Sequence, residues 1–337
     1  MRVLLVGSGT AATRHARNVR DLVADIDGIH VVSSRSQLPE LEALYGGVQI
    51  WRTVPSAVQN ECFDAAIIAP ASSETARALD ACVRAGIPCL VEKPLGVGRE
   101  DVRLIDDLFH DKGKSEAWKR SRMSFQYRFS PAFRELHRVI STGGLGELLG
   151  VSVVFSEYLP SWKPGHDWRR SYSARQDLGG GVLRTQCHEL DLVTVLLGSL
   201  QVDGAIFGFS NALALDVEDS VHVLGHGRLF GDYVPVSVFL SMCRPESERL
   251  ITASGSEGRA VLDLRSGSLE FGRTRKFQGC DRETLFRQVA ADFLQSEEPQ
   301  GATLEHGFEL TRLLEDIRAA AARTNPSATG RSDSQPI

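Results

Sequence analysis

The sequence predicts an α/β protein with two domains, the first built around a doubly wound parallel sheet. At 337 residues the chain is longer than one ordinary hydrophobic core requires. Strand-like apolar runs alternate with helical runs through residue 95, and this order favours parallel strands covered by helices. Beyond residue 148, short strand-like runs follow one another with turn residues between them, so a second sheet is expected there.

Composition narrows the class of protein. Hydrophobic residues make up 42% and charged residues 24% of the chain, as in soluble globular proteins. The net charge of -5 argues against a nucleic-acid binder that depends on a basic surface. The six cysteines form no CxxC pair, which indicates free thiols in a reducing compartment, and no metal site is expected. No signal peptide or apolar run of about 20 residues is recognisable, so we expect a cytoplasmic protein without a membrane partner.

The first strand, residues 2–7, runs directly into the glycine-rich loop GSGTAA. Gly7, Gly9 and Ala12 match the pattern G-x-G-x-x-A. In this pattern the first glycine permits a tight turn, the second lets the backbone approach a pyrophosphate, and the small third residue lets the helix pack on the strand. The helix that follows would offer its unpaired N–H groups to the phosphates. We therefore predict a dinucleotide-binding loop made of Gly7, Ser8, Gly9, Thr10, Ala11 and Ala12.

The second strand, residues 29–34, ends in Ser34 and is followed by Arg35. An NAD-preferring protein usually has a carboxylate at this place, about 20 residues after the glycines, to bind the ribose 2′-hydroxyl. A carboxylate would repel a 2′-phosphate, whereas a hydroxyl and a guanidinium would bind it, so the pair favours NADP. In the alternative, Arg35 is solvated and backbone groups hold the ribose, which leaves NAD as a possible cofactor.

Two further strands, residues 63–70 and 87–94, end at the same edge of the predicted sheet. Ligands of open parallel sheets bind beyond the carboxyl ends of the strands. The last residues of these two strands are therefore predicted to line the cofactor crevice. They are Ala69, Pro70, Glu92 and Lys93.

Four motifs follow one another along the chain. They are the G-x-G-x-x-A loop, the Glu92-Lys93-Pro94 turn, the segment Tyr127-Arg128-Phe129-Ser130-Pro131 and the GG…HxxD pattern of residues 180–191. Together they resemble the glucose–fructose oxidoreductase and inositol dehydrogenase (Gfo/Idh/MocA) family over nearly the full chain. The resemblance implies NAD(P)-dependent oxidoreductase activity and a Rossmann domain followed by an α/β domain with a mostly antiparallel open sheet. In the family this sheet often forms subunit contacts, so a homodimer or homotetramer is expected.

The strand pattern and the resemblance divide the chain into a Rossmann domain, residues 1–120, and a substrate and oligomerisation domain, residues 121–323. Helical runs return at residues 283–296 and 305–323, and in the family the last helix packs back on the first domain. The tail, residues 324–337, is polar and is expected to be mobile.

Residues 182–198 are predicted to form one helix that ends at Gly198. Arg184, His188 and Asp191 recur on it at helical spacing, so all three can face one cleft. The resemblance places this cleft between the nicotinamide and the second sheet, and it implies that His188 takes a proton from a substrate hydroxyl. Histidine, with an ordinary pKa of about 6.5, suits that task at neutral pH.

The resemblance also assigns roles to two neighbours of this histidine. Asp191 is expected to orient the ring or to contact the substrate. Lys93 matches a family lysine near the nicotinamide, where an ammonium would stabilise negative charge on the reacting oxygen. In the alternatives, His188 packs at the edge of the core, and Lys93 pairs with Glu92 or with a phosphate.

Arg184 departs from the family, many of whose members have aspartate at this place. Arginine has donors but no acceptor and stays charged, so it cannot replace a carboxylate in a proton relay. It could lower the pKa of His188 or bind an anionic substrate with two parallel hydrogen bonds. In the alternative, Arg184 turns outward or pairs with Asp191, and the site has lost its activity.

The segment 157–177 is rich in tryptophan, tyrosine, arginine and histidine. Aromatic faces and guanidinium groups suit sugar rings and their acidic substituents. From this segment we select Trp168 as a substrate-binding candidate, together with Tyr127 and Arg128 of the third motif. In the alternative, the segment wraps a neighbouring subunit.

The sequence therefore favours an NAD(P)-dependent oxidoreductase that acts on a secondary alcohol or ketone of a sugar, sugar acid, nucleotide-sugar or cyclitol. His188 and Lys93 are the predicted catalytic residues. The first alternative is a catalytically silent NADP-binding sensor or structural subunit with the same fold. The second is a non-redox reaction in which the bound nicotinamide is oxidised and reduced within one cycle.

Overall fold

A computed structural model of the protein describes residues 1–162, 164–272 and 281–324. Contacts between residues divide the chain into two compact units. The first unit contains Met1–Gln126 and Arg282–Thr311, and the second contains the described residues of 127–281 and those from Arg312 onward.

The first unit is built on a six-stranded parallel sheet with the strand order β3-β2-β1-β4-β5-β6. Its strands are β1 (Val3–Val6), β2 (Ile29–Val32), β3 (Gln49–Trp51), β4 (Ala65–Ile68), β5 (Cys89–Val91) and β6 (Arg122–Met123). Every residue of β1, β4 and β5 is buried, as expected for parallel strands with both faces covered. The predicted doubly wound α/β domain is thus confirmed.

Helices connect these strands. They are α1 (Thr10–Leu22), α2 (Pro39–Tyr45), α3 (Val54–Asn60), α4 (Ser72–Arg84), α5 (Gly98–Lys112) and α6 (Glu116–Arg120). The sequence had not predicted β3 or the short helices α2 and α3, because these elements are too brief to show a clear hydrophobic period. Their presence brings one more strand end to the edge of the sheet where the cofactor loop lies.

The second unit is built on a seven-stranded sheet with the order β13-β12-β11-β7-β10-β9-β8. Its strands are β7 (Leu148–Ser156), β8 (Gln201–Gly208), β9 (Ser220–Leu229), β10 (Asp232–Ser241), β11 (Glu248–Gly255), β12 (Gly258–Asp263) and β13 (Ser268–Phe271). Neighbouring strands are antiparallel except β7 and β10, which are parallel. The expected mostly antiparallel sheet is confirmed.

The two faces of this sheet differ in burial. One face packs on α7 (Pro131–Ser141), α8 (Val182–Thr185) and α9 (His188–Leu197). Alternating side chains on the strands are buried there, as in Val221 and Val223 of β9. On the opposite face Ile206 is 52% and Leu224 62% exposed. An open sheet face with apolar side chains is therefore available on the second unit.

The predicted single helix over residues 182–198 is wrong, because the chain breaks into α8 and α9. The backbone of Gln186 leaves the helical region, with φ -112° and ψ 36°. The start of α8 is fixed by a contact with a distant residue. The N–H of Val182 donates to the backbone carbonyl of Glu218 at 3.1 Å. Helical spacing therefore no longer places Arg184 on the same face as His188 and Asp191.

Two helices complete the chain, α10 (Arg282–Gln295) and α11 (Leu304–Thr324). Helix α10 packs on α1, where Glu283 accepts hydrogen bonds from the Arg14 Nε at 3.0 and 3.1 Å. Helix α11 begins in the first unit and continues into the second. Thr324 still belongs to α11, and the rest of the predicted tail lies outside the described residues. Within the described ranges, the helices are too short or too polar to cross a bilayer.

Candidate functional site

The glycine-rich loop connects β1 to α1 and has the shape that a dinucleotide requires. Gly7 has a φ of 103°, and a Cβ atom there would lie 2.4 Å from the carbonyl oxygen of Ala69, so only glycine fits. A Cβ atom on Gly9 would meet no atom within 4 Å, which leaves the backbone open at the start of α1. Ala12 is fully buried beneath this turn. Open N–H groups at a helix N-terminus suit a pyrophosphate.

The end of β2 lies beside this loop. The Ser8 and Ser33 hydroxyl oxygens are 2.9 Å apart and share a hydrogen bond, and Ser33 also accepts the N–H of Arg35 at 3.0 Å. Ser34 and Arg35 are exposed. The predicted nucleotide loop and the predicted ribose-binding residues are therefore joined through two serine side chains.

Arg52 is a further candidate for cofactor binding, and the sequence patterns did not predict it. It follows β3, the neighbour of β2 in the sheet, and its Nη1 donates to the carbonyl oxygen of Ser34 at 2.6 Å. Arg52 is exposed, as Arg35 is, so an exposed arginine follows the end of each of these two adjacent strands. The signal for Arg52 in the sequence was a short strand-like run, residues 49–51, which this arginine follows directly.

Glu92 follows β5, and its carboxylate lies 2.8 Å from the Nε2 of His15, a fully buried residue of α1. Burial by itself would raise the pKa of Glu92, but the hydrogen bond from His15 and the charges of His15 and Lys93 outweigh it and lower the pKa. Glu92 thus ties the turn that carries Lys93 to α1. Nothing in the sequence around His15, which lies inside α1, indicates a partner 77 residues away.

His188 is the first residue of α9, and only 5% of it is exposed. The ring of Tyr127 lies against it edge to face, with 5.4 Å between the ring centroids and an angle of 81° between the planes. Tyr127 belongs to a 3-10 turn, Gln126–Phe129, that precedes α7. Two predicted site residues, 61 positions apart in the sequence, are therefore in contact.

Asp191, one turn further along α9, is almost completely buried and pairs with Arg128. The arginine Nε lies 2.9 and 3.2 Å from the two carboxylate oxygens, and its Nη2 lies 2.6 Å from one of them. The alternative in which Arg184 pairs with Asp191 is wrong, because Arg128 occupies that carboxylate. Both residues were predicted to bind substrate, and that role stays a prediction.

A second arginine–carboxylate pair lies next to the first, and the sequence motifs did not predict it. Arg249 of β11 donates through Nε to Glu189 at 2.6 Å and through Nη1 to the hydroxyl of Tyr127 at 2.5 Å. Burial would lower the pKa of Arg249, but the Glu189 carboxylate and Tyr127 outweigh it and hold the pKa above its ordinary value. Glu189, a carboxylate in the first turn of a helix whose later residues, 192–197, are mostly apolar, was the signal in the sequence for such a partner.

Arg184 lies in a different cluster of charges. Its side chain is 9% exposed, and its Nη2 donates to Glu315 of α11 at 3.3 Å. Arg318 and Glu218 form the other pair of the cluster, with 3.6 Å between Nη1 and the carboxylate. Burial and the Arg318 charge lower the pKa of Arg184, against the opposing effect of Glu218 and Glu315. The alternative in which Arg184 turns outward is wrong, because its charge is buried beside these carboxylates.

Trp168 is half-buried in a 3-10 turn, Trp168–Arg170. The guanidinium carbon of Arg169 lies 4.3 Å from the centre of the Trp168 ring. The two side chains therefore form a cation–π contact on one face of the indole. The surrounding segment consists of further short 3-10 turns, at Leu159–Ser161, Tyr172–Ala174 and Gln176–Leu178. A substrate-binding role for Trp168 stays a prediction.

Comparison with known families agrees with this architecture. Residues 1–117 match the model described as "Oxidoreductase family, NAD-binding Rossmann fold", and residues 133–261 match the "GFO/IDH/MocA C-terminal domain". The chain belongs to the Gfo/Idh/MocA family of oxidoreductases. The predicted family and the predicted Rossmann fold of the first domain are therefore confirmed, and the matching family model describes NAD binding.

Individual relatives and solved structures show how far the similarity reaches. The chain is 25% identical to inositol 2-dehydrogenase 2 of Saccharopolyspora erythraea over 344 residues, covering 94% of this chain and 91% of that protein. It is 26% identical to the rhizopine catabolism protein MocA of Rhizobium meliloti over 256 residues, covering 71% and 75%. A levoglucosan dehydrogenase in complex with NADH and levoglucosan shares the fold, with a TM-score of 0.79, 17% identity and coverage of 96% and 97%.

Proposed function

We propose that this Gfo/Idh/MocA protein is an NAD(P)-dependent oxidoreductase that transfers a hydride to or from a secondary alcohol or ketone. The observation that carries the proposal is the placement of His188 at the start of α9, in contact with Tyr127 and next to two arginine–carboxylate pairs. An imidazole held in this way is a suitable acid and base for a hydroxyl group. The names of its relatives, which refer to inositol and levoglucosan, support a sugar, sugar acid, nucleotide-sugar or cyclitol as substrate.

NADP is the proposed cofactor. Ser34 supplies a hydroxyl at the end of β2, and Arg35 and Arg52 supply two exposed guanidinium groups beside it. Guanidinium groups bind phosphate with charge-assisted hydrogen bonds, whereas the ribose 2′-hydroxyl of NAD is usually bound by a carboxylate at this place. NAD binding remains the alternative, and it is supported by the NADH complex of the levoglucosan dehydrogenase.

The bound nicotinamide would supply the hydride acceptor or donor. In the oxidative direction, the imidazole of His188 takes the proton of the substrate hydroxyl as the hydride leaves the adjacent carbon. The Lys93 ammonium stabilises the negative charge that develops on the same oxygen. Lys93 belongs to the first unit and His188 to the second, and both roles are those that the family resemblance implies.

The second candidate is an NADP-binding protein without turnover. It is favoured by Arg184, which stands where many family members have aspartate and which is engaged by Glu315. An arginine in this place contributes no proton acceptor. The two candidates share the cofactor but differ in whether function depends on His188.

The test is an absorbance assay of the purified full chain with NADP, NADPH and a broad panel of polyols and keto-sugars. We expect turnover with at least one carbohydrate, and a loss of kcat of about 100-fold or more in His188→Ala and in Lys93→Ala. Arg17→Ala, an exposed arginine of α1, is the control variant. A thermal shift with NADP but no turnover with any substrate would favour the silent protein.

We also propose a homodimer or homotetramer that assembles through the open face of the second sheet and works in the cytoplasm. Ile206 and Leu224 leave apolar area on this face, and such patches mark contact surfaces. The five described cysteines are all free thiols, which is consistent with a reducing compartment. Cys280 lies outside the described residues.

A further inference from the structure

We infer that Tyr127 is a positioning residue for His188, and that the buried pair of Arg249 and Glu189 holds Tyr127 in place. The inference rests on the proposed function, since it assigns to Tyr127 a part in the reaction of His188. Its place in the third motif predicts that Tyr127 binds substrate. The contacts of its ring and of its hydroxyl group indicate a different role.

The ring of Tyr127 limits how the imidazole can turn. The centroids of the two rings are 5.4 Å apart and their planes are nearly perpendicular, the arrangement that aromatic pairs prefer. Tyr127 is 6% exposed, so it has little freedom to move aside. Rotation of the imidazole about its side-chain bonds would therefore disturb this contact.

The hydroxyl group of Tyr127 is anchored at its other end. It accepts an N–H from Arg249, and the guanidinium carbon of the same arginine lies 4.2 Å from the centre of the tyrosine ring. Arg249 in turn donates to Glu189, whose side chain is completely shielded from solvent. The tyrosine oxygen is thus engaged by a buried cation.

These contacts begin and end on the same helix. The imidazole of His188 contacts Tyr127, Tyr127 accepts from Arg249, and Arg249 donates to Glu189, the residue after His188 in α9. Arg128, the residue after Tyr127, is tied to α9 as well, through Asp191. The backbone of the turn and the backbone of the helix are therefore connected on both sides of the two rings.

A catalytic base that is free to turn spends less time in the reactive geometry. Even a small misplacement of the base lowers the rate of the reaction. Loss of the Tyr127 ring should therefore lower kcat. The cofactor is expected to bind through the first unit, so its KM should change little. A residue that merely stabilised the fold would affect stability without this separation of kcat from KM.

The experiment compares Tyr127→Leu, which removes the aromatic ring, with Tyr127→Phe, which keeps it. The first readout is the NMR signal of the His188 ring in ring-labelled protein, assigned by its absence in His188→Gln. We expect Leu to shift this signal, because the ring current of Tyr127 is lost, and Phe, which keeps the ring but loses the anchored hydroxyl, to shift it less. The second readout is steady-state kinetics, in which Leu should lower kcat about 10- to 100-fold while the cofactor KM stays within about 3-fold.

Phe155→Leu is the matched control, because it shortens a buried aromatic residue beside the same arginine, at 5.3 Å from its guanidinium carbon. It should lower the melting temperature without moving the His188 signal. If Tyr127→Leu fails to fold, the double variant Glu189→Gln/Arg249→Met takes its place. It removes both buried charges together and should shift the His188 signal by releasing the tyrosine hydroxyl.

An unchanged His188 signal and kcat in the folded Tyr127→Leu or double variant would overturn the inference, as would an equal shift in Phe155→Leu. If the wild-type protein shows no turnover, the proposed function fails, but the His188 signal in Tyr127→Phe and in the double variant, which both keep an aromatic ring at position 127, still decides whether the anchored ring orients the imidazole. The two failures are therefore distinguishable.

Discussion

Arg128 donates to both carboxylate oxygens of Asp191, and the three nitrogen–oxygen distances lie between 2.6 and 3.2 Å. The side chains are 15% and 2% exposed, so this ion pair is largely shielded from water. It joins the turn that carries Tyr127 to the helix that carries His188.

Removing one partner of this ion pair should lower the stability of the protein. Asp191→Asn would remove the negative charge that Arg128 pairs with in a buried place, and we expect the free energy of unfolding to fall by about 3 kcal/mol. The double variant Asp191→Asn/Arg128→Met should lose less than the sum of the two single changes. Urea unfolding measures both effects, and an additive double variant would show that the pair is not coupled.

Cofactor selectivity should depend on both arginines at the edge of the first sheet. Arg35→Ala and Arg52→Ala are each expected to weaken NADP binding about tenfold, because a charge-assisted hydrogen bond to phosphate is lost. Binding of NAD, which has no 2′-phosphate, should change little. Titration calorimetry with both cofactors tests this, and equal losses for NAD and NADP would contradict it.

Arg184→Asp should destabilise the second unit. The change would add a third carboxylate beside Glu218 and Glu315, with Arg318 as the remaining arginine of the cluster. We expect a loss of about 3 kcal/mol in thermal or urea unfolding. Arg184→Met, which adds no negative charge, should lose less. An unchanged melting temperature together with higher turnover in Arg184→Asp would instead show that the arginine only hinders the reaction.

Glu92 should contribute stability that depends on pH. Its pKa in the folded protein is lowered below the ordinary value of 4.5, so the folded state favours the charged carboxylate. This contribution is present above that value and is lost as the pH falls through the folded pKa. The difference in unfolding free energy between the wild type and Glu92→Gln should therefore shrink in acid. A difference that stays constant from neutral pH to about pH 3 would contradict the assignment.

Assembly should depend on the open face of the second sheet. Leu224→Glu would place a charge in the proposed apolar contact, and we expect smaller species in sedimentation velocity. Arg103→Glu, an exposed residue of α5 in the first unit, is the control and should leave the assembly unchanged. The wild type sedimenting as a monomer would refute the proposed oligomer directly.

Much of the fold follows from patterns within a few residues. The buried strands β1, β4 and β5 and the loop at Gly7 were predictable because burial on both faces and a tight turn each require particular residues locally. The break at Gln186 was not predictable, because the residues around it keep a helical hydrophobic rhythm on both sides. It depends on where Glu218 holds the start of α8.

The sequence by itself determined the alternation of strands and helices, the cofactor loop and the presence of His188 in the family pattern. Only the tertiary structure decided which charges meet. Asp191 pairs with a residue 63 positions away, and Arg184 with one 131 positions away. Hydrophobic period and turn chemistry act between near neighbours in the chain, whereas ion-pair partners are chosen by how distant elements pack, and one sequence offers many such pairings.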